Sequence, residues 1–462
     1  MAVKPVEELW RLAQGDPEAL KHLTMTGDER QLPSVYRVSA LAAASVGASA
    51  LAAAECFRHR TGQMQQVDLD TRRATIAFRS ERYLRIDADK APELRDPLMG
   101  FYETRDGRWI QLHTNFKHHR DGVIKLLGCT NDHAGVTQAI RSWSGATLDE
   151  ALANAGLCAA LIRTPEQWAL MPQAQAVAET PLLEIVKLDD APPEPIGQGD
   201  PPRPLSNVRV LDLSRIIAGP VAGRTLAQHG ADVLLINGPH LPNIPPLVID
   251  NGRGKRSATL DLREENGRDS LRALLKDADV LLQGYRPGAL AARGFGPEEA
   301  ARLRPGIVYV SISAYGHKGP WSQRRGFDSL VQSASGIAWT EAQAAGQTQP
   351  RHLPCQALDH ATGYLAAFGA MIALQRRATE GGSWHVRVAL ARTGHWLQSM
   401  GLVEDGQQVR DPQLDDVRDM LQTIDSPFGS LTCTQPPEQM SLTPPFWRSP
   451  PMPIGADQPV WR

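Results

Sequence analysis

Asp359 stands alone in "HLPCQALDHATGYLAAFGA" (His352–Ala370), a stretch otherwise almost wholly apolar or small. A carboxylate there has two uses. It can cap the buried helix that "ATGYLAAFGAMIAL" predicts, accepting bonds from the free N–H groups of the first turn. Or it can act as a nucleophile, if it is ionised and kept from water. The positive end of the helix dipole favours the ionised form in both cases. By residue type alone the cap is the commoner use. Other chemistry-bearing types are less organised. "HTNFKHHRD" (His113–Asp121) holds several histidines without the spacing of a metal site, and reads as a loop lining a cleft. Cys56, Cys129, Cys158, Cys355 and Cys433 are scattered, with no CxxC pair. They argue against structural zinc and a disulfide framework, and fit a reducing cytoplasm.

The elements that must position Asp359 are legible in the second half. "VRVLDLS", "ADVLLIN", "SATLDL", "DVLLQG" and "IVYVSISAYG" are short apolar, β-branched runs and predict strands; "HLPCQAL" reads as a further short buried strand. "AGPVAGRTLAQHG", "NGRDSLRALLKDA" and "PEEAARLRP" alternate with them as helices. Such alternation predicts an α/β fold with a parallel, doubly wound sheet. Ligands on these sheets bind beyond the carboxyl ends of the strands. No GxGxxG follows any strand, which disfavours a dinucleotide-dependent reductase.

The first half reads as α+β. "MGFYETRDGRWIQLHTN" predicts a hairpin turning at Asp106-Gly107. "SALAAASVGASALAAA" is too weakly hydrophobic to cross a membrane and predicts a close-packed buried helix. The N-terminal "MAVKPVEELW" lacks the layout of a signal peptide. A formal net charge of -2 gives no push toward nucleic acid or anionic membrane. The expected organisation is a large-domain-like segment with the end of a nucleotide-type domain (1–195), a Pro-rich linker (196–205), a Rossmann-like domain (206–425) and a Pro-rich extended tail (426–462). There is also an echo: residues 50–74 resemble residues 368–394, each a small-residue helix, a Gly turn and an alternating strand. Gly62 matches Gly381, and Val67 matches Val386. The first copy has no acidic residue between Glu29 and Glu55.

The segment from Asn207 to Leu397 resembles the class III CoA-transferases, the CaiB/BaiF family. The carriers, in order, are "RVLDLSRIIAGPVAGRTLAQHGADVLLI", "GRGKRSATLDLREENGRDSL", "ADVLLQGYRPGALAARGFG", "PGIVYVSISAYGHKGP", "GFDSLVQSASGI" and "LDHATGYLAAFGAMIAL". Residues 50–74, "FYETRDGRWIQLHT" and "RTPEQWALMPQAQAVAETPLLEI" resemble other parts of the same family, so the chain looks like a permuted or fused arrangement. The resemblance implies a Rossmann-like CoA-binding domain plus an α+β large domain. It also implies an interlocked homodimer, or a self-completing permuted monomer. The implied activity moves CoA between an acyl-CoA and a carboxylic acid, with Asp359 as nucleophile and no metal or redox cofactor. Candidate CoA contacts by family position are Ile217, Ala218, Lys255, Arg256, Tyr285, Arg286 and Arg293, with Arg215 and Arg253 weaker.

Departures from the family pattern are Asn237 for an acidic residue, Gly284 for an Asn, and Arg293 one place past the usual Arg, where Ala292 stands. Phe327 replaces the His of racemase members, and a phenyl ring carries no proton. His317 and His360 are expected at the surface or in packing rather than as substitutes for it. The alternative readings are another CoA-ester-acting relative, of isomerase or dehydratase type, and a catalytically impaired acyl-CoA-binding subunit.

Overall fold

The computed structural model describes residues 3–92, 95–197 and 202–462. Its strands in chain order are β1 (Leu23–Thr26), β2 (Val67–Asp70), β3 (Arg85–Ile86), β4 (Asp89–Lys90), β5 (Gly100–Glu103), β6 (Trp109–Leu112), β7 (Ala159–Leu161), β8 (Glu184–Lys187) and β9 (Arg209–Leu213). They continue with β10 (Asp232–Asn237), β11 (Lys255–Thr259), β12 (Val280–Gln283), β13 (Val308–Ser313), β14 (Trp384–Ala389), β15 (Leu421–Ser426), β16 (Gly429–Thr434) and β17 (Glu438–Met440). The main sheet has seven strands in the order β11-β10-β9-β12-β13-β14-β8. All pairs are parallel except the β14–β8 edge. The mixed α/β fold expected from the alternating pattern is the fold observed. From β9 the chain moves outward to β10, while β12 lies on the other side of β9. The connections diverge there and open a crevice at the carboxyl ends.

Two helices of equal length form the centre: Val38–Thr61 and Ala357–Glu380, 24 residues each. Both are long and apolar enough to cross a membrane, and in each the apolar stretch is buried inside the protein while the last turn reaches the surface. A helix apolar on every face needs neighbours on every face. Ala, Ser and Gly let the two approach closely, and Cys56 Sγ lies 3.7 Å from the Met371 carbonyl oxygen. At the other side, a Cβ on Gly363 would stand 2.5 Å from the Ala218 carbonyl oxygen. That close approach seats helix Ala218–Gln228 against helix Ala357–Glu380.

The echo is structural. Gly62 and Gly381 end the two helices with φ of 74° and 66°. Each helix then leads into a parallel-paired strand and another helix, Thr71–Ala77 after β2 and Leu390–Ser399 after β14. β2 sits between parallel β1 and antiparallel β17, as β14 sits between parallel β13 and antiparallel β8. The first copy is thus the edge of a second nucleotide-type sheet. In register, Ala40 occupies the position of Asp359.

Several expected boundaries differ. Segment 1–195 is not one unit: residues up to Phe78 pack around the Val38–Thr61 helix, β3 and β4 pair with the β15–β16 hairpin, β5–β6–β7 form a separate sheet, and β8 joins the main one. Residues 198–201 of the expected linker lie outside the described residues. Next to them Leu205 is fully buried and Arg203 stacks on Phe446 at 3.9 Å, so that part is packed. The boundary at 425 cuts the β15–β16 hairpin, because "GSLTCT" alternates as a strand. The extended strap begins after β17. It is pinned by Phe446 N–H to the Gln228 carbonyl oxygen and by Trp461 Nε1 to that of Leu274. His352–Gln356 is irregular rather than a strand. Its polar groups are taken by side chains, with Leu353 N–H donating to Gln332 Oε1 at 2.8 Å.

Candidate active site

A cavity of about 460 Å³ opens at the carboxyl ends of β9, β10, β12 and β13. Asp359 reaches it from the first turn of the Ala357–Glu380 helix. The N-cap is Gln356, so Asp359 is not the helix cap. Its backbone N–H is taken by Asp328 Oδ2 at 2.9 Å. Its carboxylate makes no hydrogen bond among the described residues and faces the cavity. Asp359 is the one carboxylate in a lining that includes Arg215, Arg263, Arg286, Arg293, Arg324 and Arg325.

The electrostatics correct one expectation. The helix end alone does not settle the charge of Asp359. Burial, then Asp328, then Glu81 push its carboxyl well above the usual range. Burial also raises Asp328. Two desolvated carboxyls this close do not both ionise readily. Glu81 behaves differently. Burial works to raise it, but the hydrogen bond and charge of His360 hold it below its usual range. The Glu81–His360 contact is 3.3 Å, and His360 stacks on Phe78 with centroids 5.5 Å apart. His360 therefore packs, as expected. His317 is partly exposed, 3.4 Å from Glu184, at the surface.

Of the candidate CoA contacts, Ile217, Ala218, Tyr285, Arg286 and Arg293 line the cavity with Asp359, and so does Arg215. The turn that carries Arg215 is strained: Ile216 has φ of 76°, costly for a β-branched residue. Arg286 and Arg293 are exposed and free of ion pairs among the described residues. Lys255 and Arg256 are not part of this lining. They open β11 at the amino edge of the sheet instead of following a strand. Lys255 Nζ is buried 2.7 Å from Asp212, and Arg256 pairs with Asp232 at 3.0 Å. Arg253 is likewise consumed, by Asp250 at 2.8 Å.

The histidine segment does line the cleft, though as the first turn of helix Lys117–Leu127 rather than a loop; Phe116, His118 and His119 face the cavity. Phe327 is stacked on His113 with centroids 3.9 Å apart. Glu81 was not foreseeable. It lies far from Asp359 in sequence and carries no motif.

The chain matches the sequence profile of CoA-transferase family III over residues 20–190 and 205–422, and it belongs to that family. An acyl-CoA transferase of Gibberella moniliformis is 30% identical over 70% of this chain and 64% of its own length. The succinyl-CoA:glutarate CoA-transferase of Mus musculus is 33% identical over 40% of this chain and 45% of its own. Among solved structures, a CaiB/BaiF family protein from Brucella suis is 27% identical, covering 50% of this chain and 65% of that one, with a TM-score of 0.38. The chain spans less than two thirds of the length of each.

Proposed function

We propose that the protein is an acyl-CoA:carboxylate CoA-transferase with Asp359 as its nucleophile. The observation that carries this reading is a lone buried carboxylate facing a largely apolar cavity whose other charged side chains are arginines, at the sheet's carboxyl ends. An Asp359 oxygen attacks the thioester carbonyl and expels CoA thiolate, leaving an aspartyl–acyl anhydride. The thiolate attacks the aspartyl carbonyl of that anhydride and releases the first acid as its carboxylate. The product is an aspartyl–CoA thioester. An acceptor carboxylate then attacks the aspartyl carbonyl, CoA thiolate leaves, and a second anhydride forms. Thiolate attack on its acyl carbonyl yields the new acyl-CoA and frees Asp359.

In this reading Tyr285, Arg286 and Arg293, which line the cavity, bind the phosphates and pantetheine of CoA. The backbone of Ile217 and Ala218 borders the reacting end. Apolar packing behind Asp359 keeps water from the anhydride. CoA is the carried substrate in this scheme, and no metal or redox group enters a step. Both lobes that wall the cavity come from one chain, which supports a self-completing unit rather than an interlocked homodimer. The five free cysteines, four of them buried, fit the cytoplasm as its setting, which a fluorescent fusion checks.

Incubation with an acyl-CoA followed by hydroxylamine should convert Asp359 to its hydroxamate. Asp359→Ala should abolish exchange while leaving CoA binding intact. Full exchange in that variant would sink the assignment.

A further inference from the structure

A second cavity, of about 210 Å³, lies at the carboxyl ends of β12, β13 and β14, and its lining does not include Asp359. It is on the other face of the sheet. Side chains alternate along a strand. Val386 of β14 points at the helix that carries Asp359, where a Cβ on Gly369 would stand 2.6 Å from its Cγ1. Its neighbours His385 and Arg387 point the other way and line the second cavity, with Ser311 of β13 beside them.

The polar groups there form a chain that lacks its last partner. The Tyr285 N–H donates to Gln283 Oε1 at 2.9 Å, which turns the Gln283 amide nitrogen toward Ser311 Oγ at 3.0 Å. The Ser311 hydroxyl has no other acceptor among the described residues, so it donates to His385 Nε2 at 2.9 Å. Burial, then Arg387 and His317, push the His385 pKa down to about 3, and the neutral ring carries its proton on Nδ1. His385 is 5% exposed, and Nδ1 is buried without a partner. A buried donor left unpaired costs about 1–3 kcal/mol, so an acceptor belongs in this cavity.

The charges select the acceptor. Among the described residues, the guanidiniums of Arg286, Arg387 and Arg392 line the cavity against one carboxylate, Glu184. Arg392 donates from Nε to the Thr180 carbonyl oxygen at 2.7 Å and makes no ion pair among the described residues. Arg387 is 4.0 Å from Glu184, which His317 also approaches at 3.4 Å. Pro181, Pro287, Leu290, Pro297 and Val388 supply apolar wall. Guanidinium forks match a carboxylate in shape and charge. The apolar wall suits a short hydrocarbon attached to it, which an inorganic anion lacks.

We propose that this second cavity binds a short aliphatic carboxylic acid as an effector, and that its occupancy opposes CoA binding. Tyr285, Arg286 and Pro287 wall both cavities. A carboxylate in the second cavity draws the Arg286 guanidinium away from a CoA phosphate in the first, and the coupling is reciprocal. The site goes beyond the CoA-transferase reading; only the antagonism with CoA rests on it.

NMR spectra of protein labelled at its histidine nitrogens, with the His385 signal assigned through His385→Gln, read the cavity directly. The signal should report a proton on Nδ1 and should shift on titration with butyrate. Arg387→Met and Arg392→Met, both at partly exposed positions, should raise the half-saturating butyrate concentration at least about tenfold. In calorimetry butyrate should weaken CoA binding about fivefold in the parent and less than about twofold in either Met variant, with the affinity for CoA alone unchanged. A His385 signal unmoved by butyrate would overturn the proposal. So would phosphate shifting it at concentrations as low as butyrate, which marks a site for any anion. Equal weakening of CoA binding in the Met variants would place butyrate in the first cavity and overturn it too. Failure of CoA to bind the parent would fail the transferase reading, and the His385 titration would still decide the second site.

Discussion

In the proposed mechanism Asp359 has to be a nucleophile strong enough to attack a thioester and still be ionised when it does. Its surroundings pull these demands apart: burial, Asp328 and Glu81 all favour the protonated carboxyl. The rate of acyl capture should therefore rise with pH through a midpoint above the ordinary carboxylate range. Asp328→Asn keeps an oxygen for the Asp359 N–H and removes one repelling charge. Its capture profile should shift to lower pH, measured by rapid-quench hydroxamate formation. The same shift bears on stability. Asp359 holds its proton more tightly when folded than when unfolded, so stability falls as pH rises from the ordinary carboxylate range to the raised value, and the loss persists above it. Asp359→Asn carries no such charge. It should be more stable than the parent by about 1 kcal/mol at neutral pH, with the gain vanishing in acid, while exchange is lost. Denaturant midpoints at two pH values check this.

At the scale of elements, the site depends on how closely two helices meet. Gly363 lies one turn past Asp359, against the Ala218 carbonyl oxygen and the Val221 side chain. Gly363→Val should cost about 2–3 kcal/mol by overpacking and should reduce exchange by moving the Ile217–Ala218 turn away from Asp359. Urea midpoints and kcat together would show both. The sequence echo marks the same element from the other side. The two copies share helix length, turn and strand register, but the first offers Ala40 where the second offers Asp359. The duplicated helix was legible because its small residues and glycine turn are local signals. Its role as the partner of the helix that carries Asp359 was not, because contact between segments some 300 residues apart is a property of packing.

For the whole molecule, the cavity wall joins residues from the β5–β6–β7 lobe, the main sheet and the Asp359 helix of a single chain. Specific activity should then stay constant on dilution well below any dimer dissociation constant, followed by light scattering and rate. A steep fall would return the interlocked homodimer to favour. The C-terminal strap holds the main sheet from outside. Trp447 donates from Nε1 to the Arg224 carbonyl oxygen at 3.0 Å and stacks on Arg253 at 4.2 Å. Trp447→Ala should cost about 2 kcal/mol, since the ring is only partly buried, and leave chemistry at Asp359 unchanged. Thermal melting and single-turnover assays test each half.

By itself the sequence determined the alternating strands and helices, the two central buried helices, the hairpin at Asp106-Gly107 and the candidacy of Asp359. These rest on periodicity, turn residues and ordered motifs, all local along the chain. Tertiary structure decided which cations face Asp359. Lys255 and Arg256 carry the right charge at a family position, but strand direction puts them at the far edge, where Asp212 and Asp232 neutralise them. Arg215, Arg325 and His118 gather at the cavity from separate segments. Charge is written in the residue type, but whether a charge is free depends on its neighbours in space, and only folding supplies those.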